Sequence, residues 1–261
     1  MSSSAVDLGE PGSMARALQA AHPDVVIHTA VSTAHHELER IVVGGSEETA
    51  RAAAEAGSAL IHLSSDMVFD GASGPFEEDA PLSPITDYGR AKAEAERRVR
   101  AGHPGAIVVR TSLLFRVTPP DPRTAIWLAA ARRGDAYPLF RDEIRCPLEV
   151  GDLADSLLAL ARRLAVVAGA GPQGAVYHLA GPEPLDRYTL GRGILEALGE
   201  DPELARAGLS GEDGIQRPRT LVLLARTTPA EFRLALRPVR AALAAARAAR
   251  EAGGPASRAG A

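Results

Sequence analysis

Three short apolar runs, separated by longer alanine-rich segments, constrain the fold of this chain more than any other feature. The runs lie at residues 24 to 30, 58 to 64 and 106 to 111, and the segments 46 to 56 and 88 to 101 between them hold good helix formers. Short strands that alternate with helix-length connections predict an α/β fold, a doubly wound parallel sheet covered by crossover helices. Gly57 and Gly102 stand where those helices should stop, and Gly44-Gly45-Ser46 reads as a helix start.

From residue 116 the pattern changes. Pro119, Pro120 and Pro122 interrupt regular structure and mark an irregular link into a second, smaller lobe. Helices are expected there at 123 to 133, 151 to 165 and 186 to 198, with a short strand at 175 to 179. Residues 239 to 250 are Ala/Arg-rich and read as helix, whereas Gly253 to Ala261 lacks apolar content and reads as disordered.

The chemistry is concentrated in Leu63-Ser64-Ser65-Asp66-Met67-Val68-Phe69-Asp70-Gly71 and Tyr88-Gly89-Arg90-Ala91-Lys92. Residues four apart share a helix face, so Lys92 is expected one turn from Tyr88, its ammonium near the phenol. A free tyrosine titrates near pH 10, and a nearby cation favours the phenolate, so the pair can exchange a proton with a substrate oxygen. Ser65 would hold that oxygen by a hydrogen bond while hydride reaches carbon. Tyr-x-x-x-Lys is a weak signal alone, since most such pairs are solvated neighbours. Its place behind a strand ending in Ser64-Ser65-Asp66 and the Pro-rich stretch from Pro81 to Pro84 strengthens it.

On these residues the chain resembles the extended short-chain dehydrogenase/reductases, and within them the dTDP-4-dehydrorhamnose reductase group. That group's Ser-Thr-Asp-x-Val-Phe-Asp-Gly is matched with Ser65 in place of Thr. Further colinear matches are Ala5 to Leu8, Pro23 to Ala30, Arg110-Thr111-Ser112, Asp142 to Pro147, Gly151 to Ala154 and Val176 to Gly181, so the resemblance covers roughly residues 5 to 225. It implies an NAD(P)-binding Rossmann-like domain over 1–115, a substrate-binding lobe over 116–248 with interleaved segments, and a tail over 249–261.

The resemblance also implies an activity, NAD(P)H-dependent reduction of the 4-keto group of a nucleotide-linked deoxysugar. Ser65, Tyr88 and Lys92 would be catalytic. Asp7, Leu8, Thr29, Ala30, Val31, Ser64, Tyr88, Lys92 and Thr111 would hold NADPH or NADH, and Ser65, Asp66, Arg145 and Arg217 the substrate. The two arginines are the candidates for a pyrophosphate, because guanidinium offers a planar fork to anionic oxygens. The sequence departs from the group at Ile41-Val42, at Leu113 and after Arg217-Pro218, where an acidic residue is expected.

A dinucleotide-binding domain normally opens with a strand, a glycine-rich turn and a helix, and none of these precedes Ala5. By the resemblance, Asp7-Leu8 belongs to the third strand, the first two strands are missing, and the sheet is left with an unpaired edge. Survival of Ser65, Tyr88 and Lys92 favours a true start upstream over a decayed copy. The rival reading is a non-catalytic binding or regulatory protein resembling the methionine adenosyltransferase beta subunit. An epimerase or dehydratase is disfavoured, because Ser65-Asp66-Met67 lacks the expected Asp-Glu pair.

Composition narrows the partners. A net charge of −4 and a pI of about 6.0 give no general attraction to nucleic acid or anionic membranes. The single cysteine, Cys146, excludes an intrachain disulfide framework. With no apolar run of membrane-spanning length and no signal-peptide pattern, the expected location is cytoplasmic and a homodimer is a possible assembly. His28, His35 and His36 lack further ligands at a closing spacing, so no metal is expected. His28 reads instead as a hydrogen-bonded core residue.

Overall fold

The computed structural model describes residues 6–166, 174–212, 214–233 and 236–252. In chain order the first half comprises α1 (Ser13–Ala21), β1 (Val25–His28), α2 (Gly45–Glu55), β2 (Ala59–Ser65), α3 (Asp87–Gly102) and β3 (Ile107–Thr111). The second half comprises β4 (Leu114–Phe115), α4 (Pro122–Arg132), β5 (Leu139–Phe140), β6 (Ile144–Arg145), β7 (Leu148–Glu149) and α5 (Val150–Val166). It ends with β8 (Val176–His178), β9 (Leu185–Asp186), α6 (Arg187–Leu198), β10 (Ala207–Gly208) and α7 (Val239–Ala252).

The central sheet runs β1-β2-β3-β8, all parallel, with Val25 opposite Ala59, Ile61 opposite Ile107 and Val108 opposite Val176. All five residues of β3 are buried, as befits a strand covered on both faces. On one face Leu60 and Ala106 meet Met14, Leu18, Ala50, Ala53 and Val99 of α1, α2 and α3. Ala50, Ala52 and Ala53 of α2 lie in that layer, where small side chains let the helix lie close to the sheet. On the other face Ile61, Ile107, Val109 and Tyr177 pack on Leu153, Leu157 and Leu160 of α5. Each fully buried Leu or Ile contributes about 1.5–3 kcal/mol. Among the described residues no strand pairs with the outer side of β1.

Beyond the central sheet lie three two-stranded pairs, β4 with β7, β5 with β10 and the antiparallel β6 with β9, together with α4, α6 and α7. Pro122 occupies the first turn of α4, where its missing N–H is harmless, and Asp121 caps that helix by accepting from Thr124 N.

Several expectations need correction. The strand read at 175 to 179 extends the central sheet through β3 instead of serving the lobe. Asp7 and Leu8 form no strand: the Asp7 carboxylate accepts from Gly9 N, and its carbonyl accepts from Glu10 N, so the chain turns into α1. Helix α1 carries no start signal in the sequence, since no side chain caps it at Gly12. Gly102 lies within α3 and His103 caps it. Asp186 ends β9 and caps α6 through Thr189 N, rather than lying inside the helix. Helix α7 continues to Ala252, so residues 249–252 are helical rather than a tail, and 253–261 lie outside the described residues.

Candidate active site

Strand β2 leaves the sheet at Ser65 and passes into a single 3-10 turn, Asp66–Val68, capped when Ser65 Oγ accepts from Met67 N at 3.2 Å. Helix α3 begins against that turn, capped by Thr86 Oγ1, which accepts from Gly89 N at 3.1 Å. The contact is close: a Cβ at Gly89 would fall 2.1 Å from the Met67 carbonyl oxygen. Only glycine permits this approach, which sets the neighbouring Tyr88 over the end of β2.

A cavity of about 600 Å³ opens at the carboxyl ends of β1, β2 and β3, where ligands bind in open parallel sheets. Of the residues anticipated from the sequence, Thr29, Val31, Ser64, Ser65, Asp66, Tyr88, Lys92, Thr111 and Arg145 line it. Asp7, Leu8, Ala30 and Arg217 are not in its wall. Leu8 packs instead beside the Met14 and Leu18 cluster. Arg217 lies with its guanidinium 5.1 Å from the Phe140 ring centroid and 3.6 Å from Glu143 Oε1.

Lys92 is the single lysine of the chain, against 28 arginines. It is 2% exposed, and its Nζ donates to the Leu63 carbonyl at 2.7 Å. Burial brings its pKa down to about 8, partly opposed by the Glu96 carboxylate. Burial pushes the Tyr88 phenol up to about 12, and the neighbouring Asp66 carboxylate adds to the rise. The expectation that Lys92 depresses the Tyr88 pKa is therefore not met in this arrangement; the phenol is an acid throughout the ordinary pH range. Asp66, itself buried, accepts from Ser112 Oγ at 2.6 Å and from Ser65 Oγ at 3.2 Å, and burial raises its pKa.

The structure also reveals residues that the motifs did not point to. Arg123 and Arg187 line the main cavity and also a smaller one of about 70 Å³ beside it, which is walled by Phe115, Trp127 and Tyr137. Arg187 pairs with the buried Glu143, and so does Arg145, whose guanidinium additionally donates to the carbonyls of Ile144, Pro218 and Arg219. Glu143 thus gathers three arginines, with Arg217 the third. Spacing alone gives no sign of this, since the partners are two to more than seventy positions apart. His28 is buried with Nε2 3.2 Å from Ser46 Oγ, and His35 lies exposed with Nε2 3.2 Å from Asp87 Oδ2.

A family model described as RmlD substrate binding domain matches residues 1–251. The chain is 32% identical over 232 residues to a dTDP-4-dehydrorhamnose reductase of Mycobacterium tuberculosis, a match covering 84% of this chain and 73% of the relative. It is also 30% identical over 186 residues to a methionine adenosyltransferase 2 subunit beta of Xenopus laevis, covering 67% and 55% of the two chains. Among solved structures, a dTDP-4-dehydrorhamnose reductase from Bacillus anthracis in complex with NADP superposes with a TM-score of 0.77 at 19% identity. That likeness covers 93% of this chain and 86% of the other, and it carries the fold.

Proposed function

The chain belongs to the family described as RmlD substrate binding domain, and from that premise we propose that it is a cytoplasmic NAD(P)H-dependent reductase of a nucleotide-linked 4-keto sugar. One observation carries the reading: Ser65, Asp66, Tyr88 and Lys92 converge on a single cavity at the carboxyl ends of the strands. The 32% identical Mycobacterium tuberculosis relative, named for this activity, supports it.

The nicotinamide end of the cofactor fits the residues present. Lys92 and Thr111 face the cavity, and the Thr111 hydroxyl is buried without a hydrogen-bond partner, a group that a ligand would satisfy. The pyrophosphate end is less provided for, since Gly44-Gly45 opens α2 and Gly45 is packed against Leu8. NAD(P)H, when bound, supplies the hydride. Tyr88 gives its proton to the carbonyl oxygen, and the Ser65 hydroxyl, turned from Asp66, donates a hydrogen bond to the same atom. Lys92, largely an ammonium at neutral pH, lines the same cavity and would hold the nicotinamide ribose.

In a spectrophotometric assay with millimolar NADPH and a dTDP-4-keto-6-deoxy sugar, the chain should oxidise NADPH. Tyr88→Phe should lower turnover by roughly 10²–10⁴-fold with little change in substrate binding. Equal turnover in that variant would overturn the assignment. The spare provision for a pyrophosphate, together with the beta-subunit relative, favours one rival, a non-catalytic regulatory subunit. No NADPH oxidation under any condition would select it.

A further inference from the structure

Tyr88 and Lys92 have a third companion on their helix. Glu96 lies one further turn along α3, so the three residues share its inner face at spacings of four, and Glu96 is 3% exposed. It is outside the cavity wall. Glu96 Oε1 accepts from Ser64 Oγ at 2.5 Å and from Arg110 Nε at 3.0 Å, while Oε2 accepts from Arg110 Nη2 at 2.9 Å. Arg110 is held in turn by the Glu78 carbonyl at 3.0 Å and lies 5.2 Å from the Phe69 ring centroid. One carboxylate therefore fastens α3 to β2 through Ser64 and to β3 through Arg110, a turn away from the only lysine.

We propose that Glu96 is the positioning residue of this site, its buried carboxylate fixing α3 on strands β2 and β3 and serving as counter-charge to the Lys92 ammonium. The inference rests on the reductase reading for its meaning but not for its test. A buried ammonium with one carbonyl acceptor, Leu63, is costly to keep charged, and an anion one turn away offsets part of that cost.

Of the other titratable and charged groups, His28 on β1 and His62 on β2 feel the Lys92 charge, Tyr88 and Asp66 share its cavity wall, and Arg110 on β3 is bound to Glu96. Burial and the Lys92 charge hold His28 at about 4 and His62 well below its ordinary value, and Tyr88 lies near 12. Between pH 6 and 10 neither these imidazoles nor the phenol change charge, and Lys92, at about 8, titrates inside that window.

With a single lysine, a chain carrying ¹³C-labelled lysine gives one ε-carbon signal, whose shift against pH reads Lys92 directly and requires no turnover. Glu96→Gln should lower the midpoint by roughly one pH unit, and Glu96→Asp, with its carboxylate drawn back, should fall between Gln and wild type. Where the assay of the reductase reading gives turnover, kcat should fall in both variants and its alkaline limb should move with the NMR midpoint. A folded Glu96→Gln with an unchanged midpoint overturns the proposal. If circular dichroism shows that Glu96→Gln is unfolded, Glu96→Asp decides alone, and an unchanged midpoint in it is equally fatal. An ordered series of midpoints in a chain that never reduces the keto sugar supports the role of Glu96 and removes the reductase reading only.

Discussion

At His62 both ring nitrogens are buried and unpartnered, and the ring stacks on His28 with centroids 5.4 Å apart. Burial and the Lys92 charge hold its pKa well below 6.5. The unfolded chain takes up a proton at this position near pH 6.5, and the folded chain does not. The stability that His62 allows is therefore complete above pH 6.5 and drains away as the pH falls. Urea unfolding should show His62→Leu, which has no proton to take up, keeping roughly 2 kcal/mol more stability than wild type on going from pH 7 to pH 5. Parallel losses in the two proteins would contradict this. The sequence places His28 in an apolar strand as a hydrogen-bonded core residue, and that much was readable; its partner, Ser46 at the start of α2, was not. The unpartnered state of His62 was not, because it depends on which atoms distant parts of the chain, such as His28 on β1, bring around the ring.

Among the elements, α3 most clearly joins sequence to site. The shared face of Tyr88 and Lys92 follows from spacing alone, and the serine motif at the end of β2 follows from chain order. The close seating of α3 on the Asp66–Val68 turn does not, since it rests on a missing Cβ at Gly89. Gly89→Ala should force the helix outward, separate Tyr88 from Ser65 and cut turnover by about 10²-fold, with a loss of stability of about 1–3 kcal/mol. Wild-type turnover in a folded Gly89→Ala chain would mean that the helix tolerates the shift. The function of Glu96 was equally hidden, with its partners Ser64 and Arg110 32 and 14 positions away. Helix α1 is illegible in the sequence for a different reason, the lack of a capping side chain.

For the whole molecule, the alternation of short apolar runs with helical segments points to the parallel sheet, and the order β1-β2-β3-β8 follows the chain except for the long passage from β4 to α5. Ligand binding is the less legible property, since the end of the cavity proposed for nicotinamide is well furnished and the end proposed for pyrophosphate sparsely. Calorimetry of this chain with NADPH should accordingly show no saturation at micromolar concentrations, because backbone amides in a glycine-rich turn normally hold the pyrophosphate. Tight binding would mean that another loop takes the phosphates.

The solitary lysine has one more consequence. A protease that cuts only after lysine finds a single susceptible bond in the chain, Lys92–Ala93, in the middle of α3 with its specificity side chain buried. Cutting there requires α3 to leave the sheet, so the molecule has a built-in reporter for the opening of that helix.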